Sequence, residues 1–263
     1  MQTTDDDLPL VRRDESGVAT LTMNRPRQFN ALSEEMLEAL EHELTRLTED
    51  EAVRCVVIAA MGKAFCAGHD LKQMRANPEE AYYRSLFARC GEVMQRIVNL
   101  PVPVIARVQG IATAAGCQLV ASCDLAVASR SARFAVSGIN VGLFCSTPAV
   151  ALSRSVGRKR AQEMLFTGNF IDADQALDWG LINRVAEEEA LDAVLGKLTD
   201  TICAKSAVAV RTGKAMFQRQ LQMPLEEAYA FAGDTMACNM MAEDVAEGID
   251  AFIEKRPPNW RHR

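Results

Sequence analysis

The hydrophobic positions of the chain follow two spacings that alternate through its first two-thirds. Residues 18–23 alternate apolar and polar side chains, which is typical of a half-buried strand. Residues 53–59, 104–108 and 125–128 are almost continuously apolar, which is typical of strands covered on both faces. Between these runs the apolar spacing becomes helical, so the pattern predicts an α/β fold.

Two of the predicted helices lie in the first hundred residues. Ser33 is a predicted N-cap, and Glu34 and Glu35 follow it where the helix dipole favours acids. A second helix is predicted to open at Asn77–Pro78 and to run to about Asn99. The first helix has one apolar face, which is formed by Met36, Leu37, Leu40, Leu44 and Leu47.

Two loops rich in small residues are predicted at residues 61–70 and 109–115, and a short helix at 116–122. After about Pro148 the chain is predicted to be mostly helical. Asp172 and Gln175 have the spacing of a capping box. Further helices are predicted at residues 191–203, 207–221, 225–241 and 245–254.

Composition narrows the classes of partner. The 263 residues are 49% hydrophobic and carry a net charge of −6 with no long basic run, which argues against nucleic acid or an acidic membrane surface. No apolar stretch approaches the ~18 residues that span a bilayer. Met1 to Asp7 is polar and acidic and lacks the features of a secretory or mitochondrial leader, so we predict a soluble, cytoplasmic protein.

The cysteines and histidines do not form a metal-binding pattern. The eight cysteines are scattered without a C-x-x-C pair, and several lie in apolar runs, so most are predicted to be reduced core residues. With only His42, His69 and His262 available, no zinc or iron site is predicted.

Seven segments share their order and spacing with a known family over nearly the whole chain. They are Leu-Thr-Met-Asn-Arg-Pro with Phe-Asn-Ala-Leu (21–32), Lys-Ala-Phe-Cys-Ala-Gly-His-Asp-Leu-Lys (63–72), Pro-Val-Ile-Ala-Arg-Val-Gln-Gly (103–110), Ala-Ala-Gly-Cys-Gln-Leu-Val-Ala-Ser-Cys-Asp (114–124), Phe-Thr-Gly (166–168), Ala-Leu-Asp-Trp-Gly-Leu-Ile (176–182) and Ala-Phe-Ile-Glu-Lys-Arg (251–256). Together they resemble the crotonase (enoyl-CoA hydratase/isomerase) superfamily.

The resemblance implies a fold, an assembly and a substrate. The fold is a ClpP-like spiral of ββα units over residues 1–200, which carries the CoA thioester site. A helical C-terminal lobe over residues 201–263 forms subunit contacts in a homotrimer or a dimer of trimers. The substrate is an acyl-CoA, so coenzyme A enters as part of the substrate, and no tightly bound cofactor or metal is expected.

The resemblance also implies an oxyanion hole built from backbone. Its two N–H donors, carried over by position, are the amides of His69 and Ala115. A thioester oxygen gains negative charge when an enolate forms, and losing one such donor costs roughly 10²–10³ in rate. The helix near Gly116 adds its positive dipole end, and the small residues 112–116 let a thioester approach the backbone.

The coenzyme A end carries phosphates and an adenine. The resemblance places contacts to it at Arg25, Ala67 and Lys72. It places two more, Phe252 and Lys255, on the C-terminal helix, often that of a neighbouring subunit.

The chain departs from the family at both catalytic carboxylates. The two positions where hydratases carry glutamates hold Gln118 and Gly138. An amide orients water but takes up no proton, and glycine supplies only space, so ordinary hydration and isomerisation are expected to be weak. Gln118 together with Cys-Ser-Thr-Pro at 145–148 resembles the branch of enoyl-CoA hydratase domain-containing proteins that lacks both glutamates.

Other side chains near the motifs leave several roles open. The His69 imidazole is either a base near neutral pH or a hydrogen-bonded loop residue. Asp70 either orients His69 or, as we prefer, caps the next helix. Cys145, followed by Ser146, would need an activating base as a nucleophile and is otherwise a pocket-lining thiol. Asp124 is predicted to begin a strand.

Three functions therefore remain open. The chain is nominally an enoyl-CoA hydratase, a lyase, with water oriented by Gln118 and an unidentified base. Alternatively it catalyses a reaction that needs mainly the oxyanion hole, such as decarboxylation of a malonyl-type CoA. It is otherwise a non-catalytic acyl-CoA binding protein.

Overall fold

The structure is a computed structural model, and it describes residues 8–263 as ten strands and eleven helices, with short 3-10 turns between them. The strands are β1 (Leu10–Glu15), β2 (Val18–Met23), β3 (Cys55–Ala60), β4 (Ala64–Cys66), β5 (Val104–Val108), β6 (Ile111–Thr113), β7 (Leu125–Ser129), β8 (Arg133–Ala135), β9 (Ile171–Asp172) and β10 (Arg184–Ala186). The helices are α1 (Glu34–Thr48), α2 (Leu71–Ala76), α3 (Glu80–Asn99), α4 (Ala115–Ser122), α5 (Ser146–Ser155), α6 (Arg158–Thr167), α7 (Ala173–Asp178), α8 (Leu191–Cys203), α9 (Ala207–Gln220), α10 (Leu225–Asn239) and α11 (Glu243–Glu254).

The strands alternate between two sheets. The larger sheet has the order β1-β2-β3-β5-β7-β10, and the smaller has the order β4-β6-β8-β9. Neighbours are parallel except for the pairs β1–β2 and β8–β9. Three successive strand pairs, β3–β4, β5–β6 and β7–β8, each give one strand to each sheet before a helix follows. This is the spiral of ββα units, so the predicted fold class is confirmed.

The long apolar runs form the central strands of the larger sheet. Other elements cover both faces of the sheet there, which is why these strands are almost continuously apolar. All six residues of β3 are buried, and β5 is buried except at Arg107. The Arg107 Nε donates to the Asp192 carboxylate of α8 at 2.6 Å, which gives that cation a partner on the covering helix. The prediction of buried strands from continuous apolar sequence is confirmed.

Local signals placed several helix starts correctly. The Ser33 Oγ accepts from the Met36 amide at 3.3 Å, and the five residues of the predicted apolar face of α1 are buried. Asp172 and Gln175 form both bonds of the predicted capping box at the start of α7.

Two predicted loops were wrong, and one short helix had no predicted bounds. The loops predicted at 61–70 and 109–115 contain β4 and β6, which are strands of three residues and too short to show a periodic pattern. The helix predicted from Asn77–Pro78 to about Asn99 is the single helix α3, which begins at Glu80. The bounds of the short helix α2 were not predicted; it ends at Ala76, just before Asn77–Pro78, where proline restricts the residue before it to extended backbone.

One buried ion pair ties the helical end of the chain to the sheets. The Lys214 Nζ of α9 lies 2.6 Å from the Asp124 Oδ2 and also donates to the carbonyls of Ile97 and Val102. Asp124 accepts from the Val104 amide, so it joins the starts of β5 and β7 as well. The division at residue 200 stays a prediction, and that position falls within α8.

Three further sequence predictions concern the N-terminal segment, membrane-spanning helices and the cysteines. The acidic segment Met1 to Asp7, on which the absence of a leader was predicted, lies outside the described residues. Among residues 8–263, no helix combines the length and hydropathy that a bilayer crossing requires. All eight cysteines are unpaired, and five of them are buried, as predicted for core thiols.

Candidate functional site

A buried asparagine brings the first two sequence motifs together. Asn30 is fully buried, and its side-chain nitrogen donates to the carbonyls of Met61 and Ala64 at 2.9 Å each. Its side-chain oxygen accepts from the Arg25 amide. Asn30 adopts φ +51°, a left-handed conformation that asparagine tolerates better than most residues. Asn30 therefore holds the turn before α1 against β4, the strand that leads into the loop before α2.

The first site loop, between β4 and α2, directly contacts the second site loop, between β6 and α4, at Gly68. A Cβ placed on Gly68 would lie 2.9 Å from the Ala114 Cβ and 3.2 Å from the Ala115 nitrogen. Next to it, a Cβ on Gly116 would lie 2.1 Å from the Cys66 carbonyl oxygen. Glycine is required at both positions because only backbone fits between the loops. The two predicted oxyanion donors therefore belong to loops in direct contact.

The His69 N–H points away from Leu32, the residue with which His69 forms a bridge. Leu32 and His69 form a parallel bridge, in which the Leu32 amide donates to the Gly68 carbonyl at 2.8 Å. The Gly68 carbonyl and the His69 N–H belong to one trans peptide group and point in opposite directions, so the His69 N–H faces away from Leu32. No acceptor for this N–H is found within residues 8–263.

The Ala115 amide is free for a different reason. Ala115 is the first residue of α4, and the first amides of a helix have no partner within it. Ala114, which precedes it, adopts φ +51° and ψ −120°, a strained conformation for alanine that costs roughly 1–3 kcal/mol. The Ala114 amide donates to the Ala135 carbonyl, and this bond holds the strained peptide in place. No acceptor for the Ala115 N–H is found in the part of the chain that the structure describes.

Gln118 lies one turn further along α4, on the helix face that carries Ala114 and Ala115. It is 4% exposed, and its side-chain oxygen is buried without a hydrogen-bond partner among the described residues. A buried, unsatisfied amide oxygen costs roughly 1–3 kcal/mol. This polar atom therefore marks a position where a bound molecule can complete the hydrogen bonding.

Gly138 does not leave open space, contrary to the expectation from sequence. A Cβ at this position would lie 2.6 Å from the Leu143 carbonyl oxygen and 2.7 Å from the Cys145 Sγ. The Gly138 amide donates to the same sulfur at 3.3 Å, and the Leu143 amide donates to the Gly138 carbonyl. The turn from 138 to 145 has closed on itself, so backbone and a thiol occupy the place beside this residue.

Two motif side chains have structural roles. The Asp70 carboxylate caps α2 by accepting from the Lys72 and Gln73 amides, as we preferred from the sequence. The Cys145 thiol is 7% exposed, and burial raises its pKa, so it is a thiol rather than a thiolate at neutral pH. These two residues hold the loops of the site and supply no nucleophile.

The residues predicted to contact coenzyme A fall into two groups. Ala67 and Arg25 lie on adjoining turns, since the Ala67 amide donates to the Phe29 carbonyl. The Arg25 guanidinium is held by the Glu35 carboxylate at 2.9 Å and by the Leu8 carbonyl. Lys72 is exposed on α2 nearby.

Phe252 and Lys255 lie at the far end of α11. Phe252 is 85% exposed, and Lys255 is the left-handed C-cap of that helix. Among residues 8–263, no hydrogen bond or ion pair connects this end of α11 to Arg25, Ala67 or Lys72. No such bond joins the two groups within the described part of the chain, and their roles stay predictions.

The sequence did not single out the polar residues that join the loops of the site. Asn30 was part of a motif but was assigned no role. The Thr113 and Ser137 hydroxyls lie 2.7 Å apart and connect β6 to the turn that begins at Gly138. A buried polar residue inside an apolar motif was the available signal for Asn30, whereas the Thr113–Ser137 pair has no sequence signal.

Comparison with known proteins gives consistent results. A sequence model described as enoyl-CoA hydratase/isomerase matches residues 13–263. A crystal structure of an enoyl-CoA hydratase from Mycobacterium smegmatis is 64% identical, with a TM-score of 0.95, and covers 96% of this chain and 98% of its own. The human enoyl-CoA hydratase domain-containing protein 3 structure is 44% identical, with a TM-score of 0.93 and coverage of 96% and 100%. A mouse protein called "Enoyl-CoA hydratase domain-containing protein 3, mitochondrial" is 48% identical over 95% of this chain and 83% of its own.

The mouse relative contradicts one prediction. We predicted a cytoplasmic protein, whereas the name of this relative places it in mitochondria. The prediction rested on the first few residues and on the absence of an apolar stretch long enough to span a bilayer. A cellular address is read by import receptors from segments outside the folded core, so composition and core motifs carry no information about it.

Proposed function

Because the chain belongs to the enoyl-CoA hydratase/isomerase family, we propose that it binds an acyl-CoA thioester and stabilises the thioester enolate through the amides of His69 and Ala115. The observation that carries this proposal is the direct contact of two loops that each offer an N–H without an acceptor among residues 8–263. Donors held in fixed positions need no reorganisation when charge develops on the oxygen, which makes them effective in a site that excludes water.

The site favours reactions that need the oxyanion hole more than a carboxylate pair. Gln118 takes up no proton, and the space beside Gly138 is filled by the Leu143 carbonyl and the Cys145 thiol. Decarboxylation of a malonyl-type CoA is therefore the second candidate, because loss of CO₂ leaves the electron pair of the enolate without any base. Enoyl-CoA hydration with water oriented by Gln118 is the family's nominal reaction.

Turnover and binding of three thioesters by the full chain test the proposal. Binding of butyryl-CoA is expected, together with either hydration of crotonyl-CoA or release of CO₂ from methylmalonyl-CoA. CO₂ release without hydration would identify the decarboxylase, and binding without turnover would identify a non-catalytic acyl-CoA binding protein. Absence of binding to every CoA thioester would contradict the proposal.

Gln118→Glu is expected to raise the rate of crotonyl-CoA hydration. A carboxylate at this position can accept the proton that water loses as it attacks Cβ. The gain should stay below the ~10²–10⁴-fold of a well-placed acid or base, because the second acid is still missing. Initial rates of crotonyl-CoA loss measure the effect.

Gln118→Met is the matched control, since it keeps the size of the side chain and supplies no proton acceptor. Equal rates for Gln118→Glu and Gln118→Met would show that this position does not face the reacting atoms. Adding Gly138→Glu is not expected to help, because even its Cβ would collide with the Leu143 carbonyl.

We also propose that the chain assembles as a homotrimer or a dimer of trimers, with coenzyme A held partly by α11 of a neighbouring subunit. Large apolar side chains of α10 and α11 are at least 70% exposed in the single chain: Leu225, Tyr229, Met236, Phe252 and Ile253. Sedimentation of the full chain is expected to give three or six times the mass of one chain. A monomer at micromolar concentration would contradict the assembly.

A further inference from the structure

One ring nitrogen near the proposed oxyanion hole has no hydrogen-bond partner in the described part of the chain. The His69 Nδ1 lies 3.4 Å from the Leu32 carbonyl oxygen, which can only accept a hydrogen bond. The tautomer assigned from this contact carries its proton on Nδ1 and leaves a lone pair on Nε2. The Nε2 is buried and has no hydrogen-bond partner among the described residues.

The surroundings of the ring keep it neutral. The Phe87 ring of α3 packs on the imidazole at 5.4 Å between centroids, and Tyr83 stacks on Phe87 in turn. Burial lowers the pKa of His69 from its ordinary 6.5, and the Leu32 carbonyl opposes this shift only in part. The carboxylate of the adjacent Asp70 is committed to the α2 amides, and no charged side chain of residues 8–263 contributes to the shift.

His69 carries both this imidazole and the backbone N–H that is proposed to donate to the thioester oxygen. In an acyl-CoA the Cα is bonded to the carbonyl carbon and lies two bonds from the carbonyl oxygen. When the His69 N–H holds this oxygen, Cα therefore lies close to the side chain of the same residue. A general base must come within roughly 3 Å of the proton donor in the bound state. The imidazole, whose Nε2 is buried beside this amide, must therefore reach Cα when the acyl-CoA is bound.

We propose that the His69 Nε2 is the proton acceptor for the Cα–H of the bound acyl-CoA, an inference that rests on the proposed thioester site. The C–H bond breaks and its electron pair forms the Cα=C bond of the enolate. The carbonyl π electrons move to the oxygen held by the two amides, and the proton moves to Nε2 to give an imidazolium. The imidazolium returns a proton to Cα, so His69 carries out a role that neither Gln118 nor Gly138 can fill.

Exchange of α-protons tests this proposal without knowledge of the natural reaction. The full chain is incubated with butyryl-CoA in D₂O, and deuterium at Cα is measured by mass spectrometry. Wild-type protein is expected to catalyse the exchange because the imidazolium exchanges its proton with solvent. His69→Gln, which keeps the backbone amide and an N–H for the Leu32 carbonyl, is expected to lose about 10²-fold of this rate.

His42→Gln is the matched control, because the His42 side chain is exposed on α1 and is expected to leave the exchange rate unchanged. Butyryl-CoA affinity should be similar in wild type, His69→Gln and His42→Gln. Affinity measured in this way also shows that the variants are folded. Exchange at the wild-type rate in His69→Gln would overturn the proposal, as would a wild type that binds butyryl-CoA but exchanges nothing.

The pH profile of wild-type exchange is an independent readout. A base must be deprotonated, and the pKa of His69 lies below 6.5, so the rate should hold as pH falls to 6.5 and decline only below it. This acid limb should be absent from the residual rate of His69→Gln. If the exchange rate of the wild type already declined above pH 7 as the pH fell, a group other than His69 would be the base. Failure of wild type to bind butyryl-CoA would instead overturn the proposed function itself.

Discussion

Replacing Gly68 with alanine is expected to lower the rate of any thioester reaction of this protein by roughly 10²–10³-fold, the cost of an oxyanion donor. The added Cβ would lie 2.9 Å from the Ala114 Cβ, 3.1 Å from the Thr113 carbonyl oxygen and 3.2 Å from the Ala115 nitrogen. The two loops must separate to admit it. The amides of His69 and Ala115 are then expected to converge no longer on one oxygen of the proposed thioester site.

Gly180→Ala is the matched control for backbone strain. Gly68 has φ +88° and Gly180 has φ +83°, so alanine loses a similar conformational freedom at both positions. A Cβ at Gly180 meets only the Ser155 carbonyl at 3.6 Å, which is ordinary contact. Steady-state rates of the two variants separate a general loss of stability from a loss of the donors. Similar rates for Gly68→Ala and Gly180→Ala would show that contact between the loops does not matter.

Replacing Lys214 with methionine is expected to lower the free energy of unfolding by about 3 kcal/mol, the lower end of the range for breaking a buried pair. The side chains of Lys214 and Asp124 are 7% and 17% exposed, so the carboxylate left behind lacks full hydration. The Val104 amide still donates to Asp124, which limits the loss. The methionine also removes two bonds to the carbonyls of Ile97 and Val102.

Urea unfolding at one fixed protein concentration measures this loss, because assembly adds a concentration-dependent term. Lys197→Met on the exposed face of α8 is the control and should change stability by less than about 0.5 kcal/mol. Lys214→Met combined with Asp124→Asn should recover part of the loss, since no unpaired charge then remains. A Lys214→Met variant as stable as Lys197→Met would show that the helical lobe is not anchored by this pair.

The sequence was most informative where one periodic signal covers a whole element. The buried strands β3, β5 and β7 and the apolar face of α1 were predicted closely, because continuous burial or one helical face fixes the residue types over many positions. The capping box at Asp172 was predicted from two residues, because each supplies one specific hydrogen bond. Strands of three residues, β4 and β6, carry no period of their own and were missed.

The candidate site was predictable at the level of motifs but not of contacts. The order of the motifs identified His69 and Ala115, yet the reason that their amides are available depends on Gly68, Leu32 and the start of α4. The sequence also shows Gln118 and Gly138 at the two positions where the family resemblance implies glutamates. It could not show that the turn ending at Cys145 fills the place beside Gly138, because that contact joins residues whose spacing follows no repeat.

A structure of the full chain bound to a non-hydrolysable acyl-CoA analogue, in which a methylene replaces the thioester sulfur, tests the proposed oxyanion hole. The carbonyl oxygen is expected to lie about 2.7–3.1 Å from both the His69 and the Ala115 amide nitrogens. A carbonyl oxygen that contacts neither nitrogen, with the acyl chain seated elsewhere on the protein, would contradict this proposal.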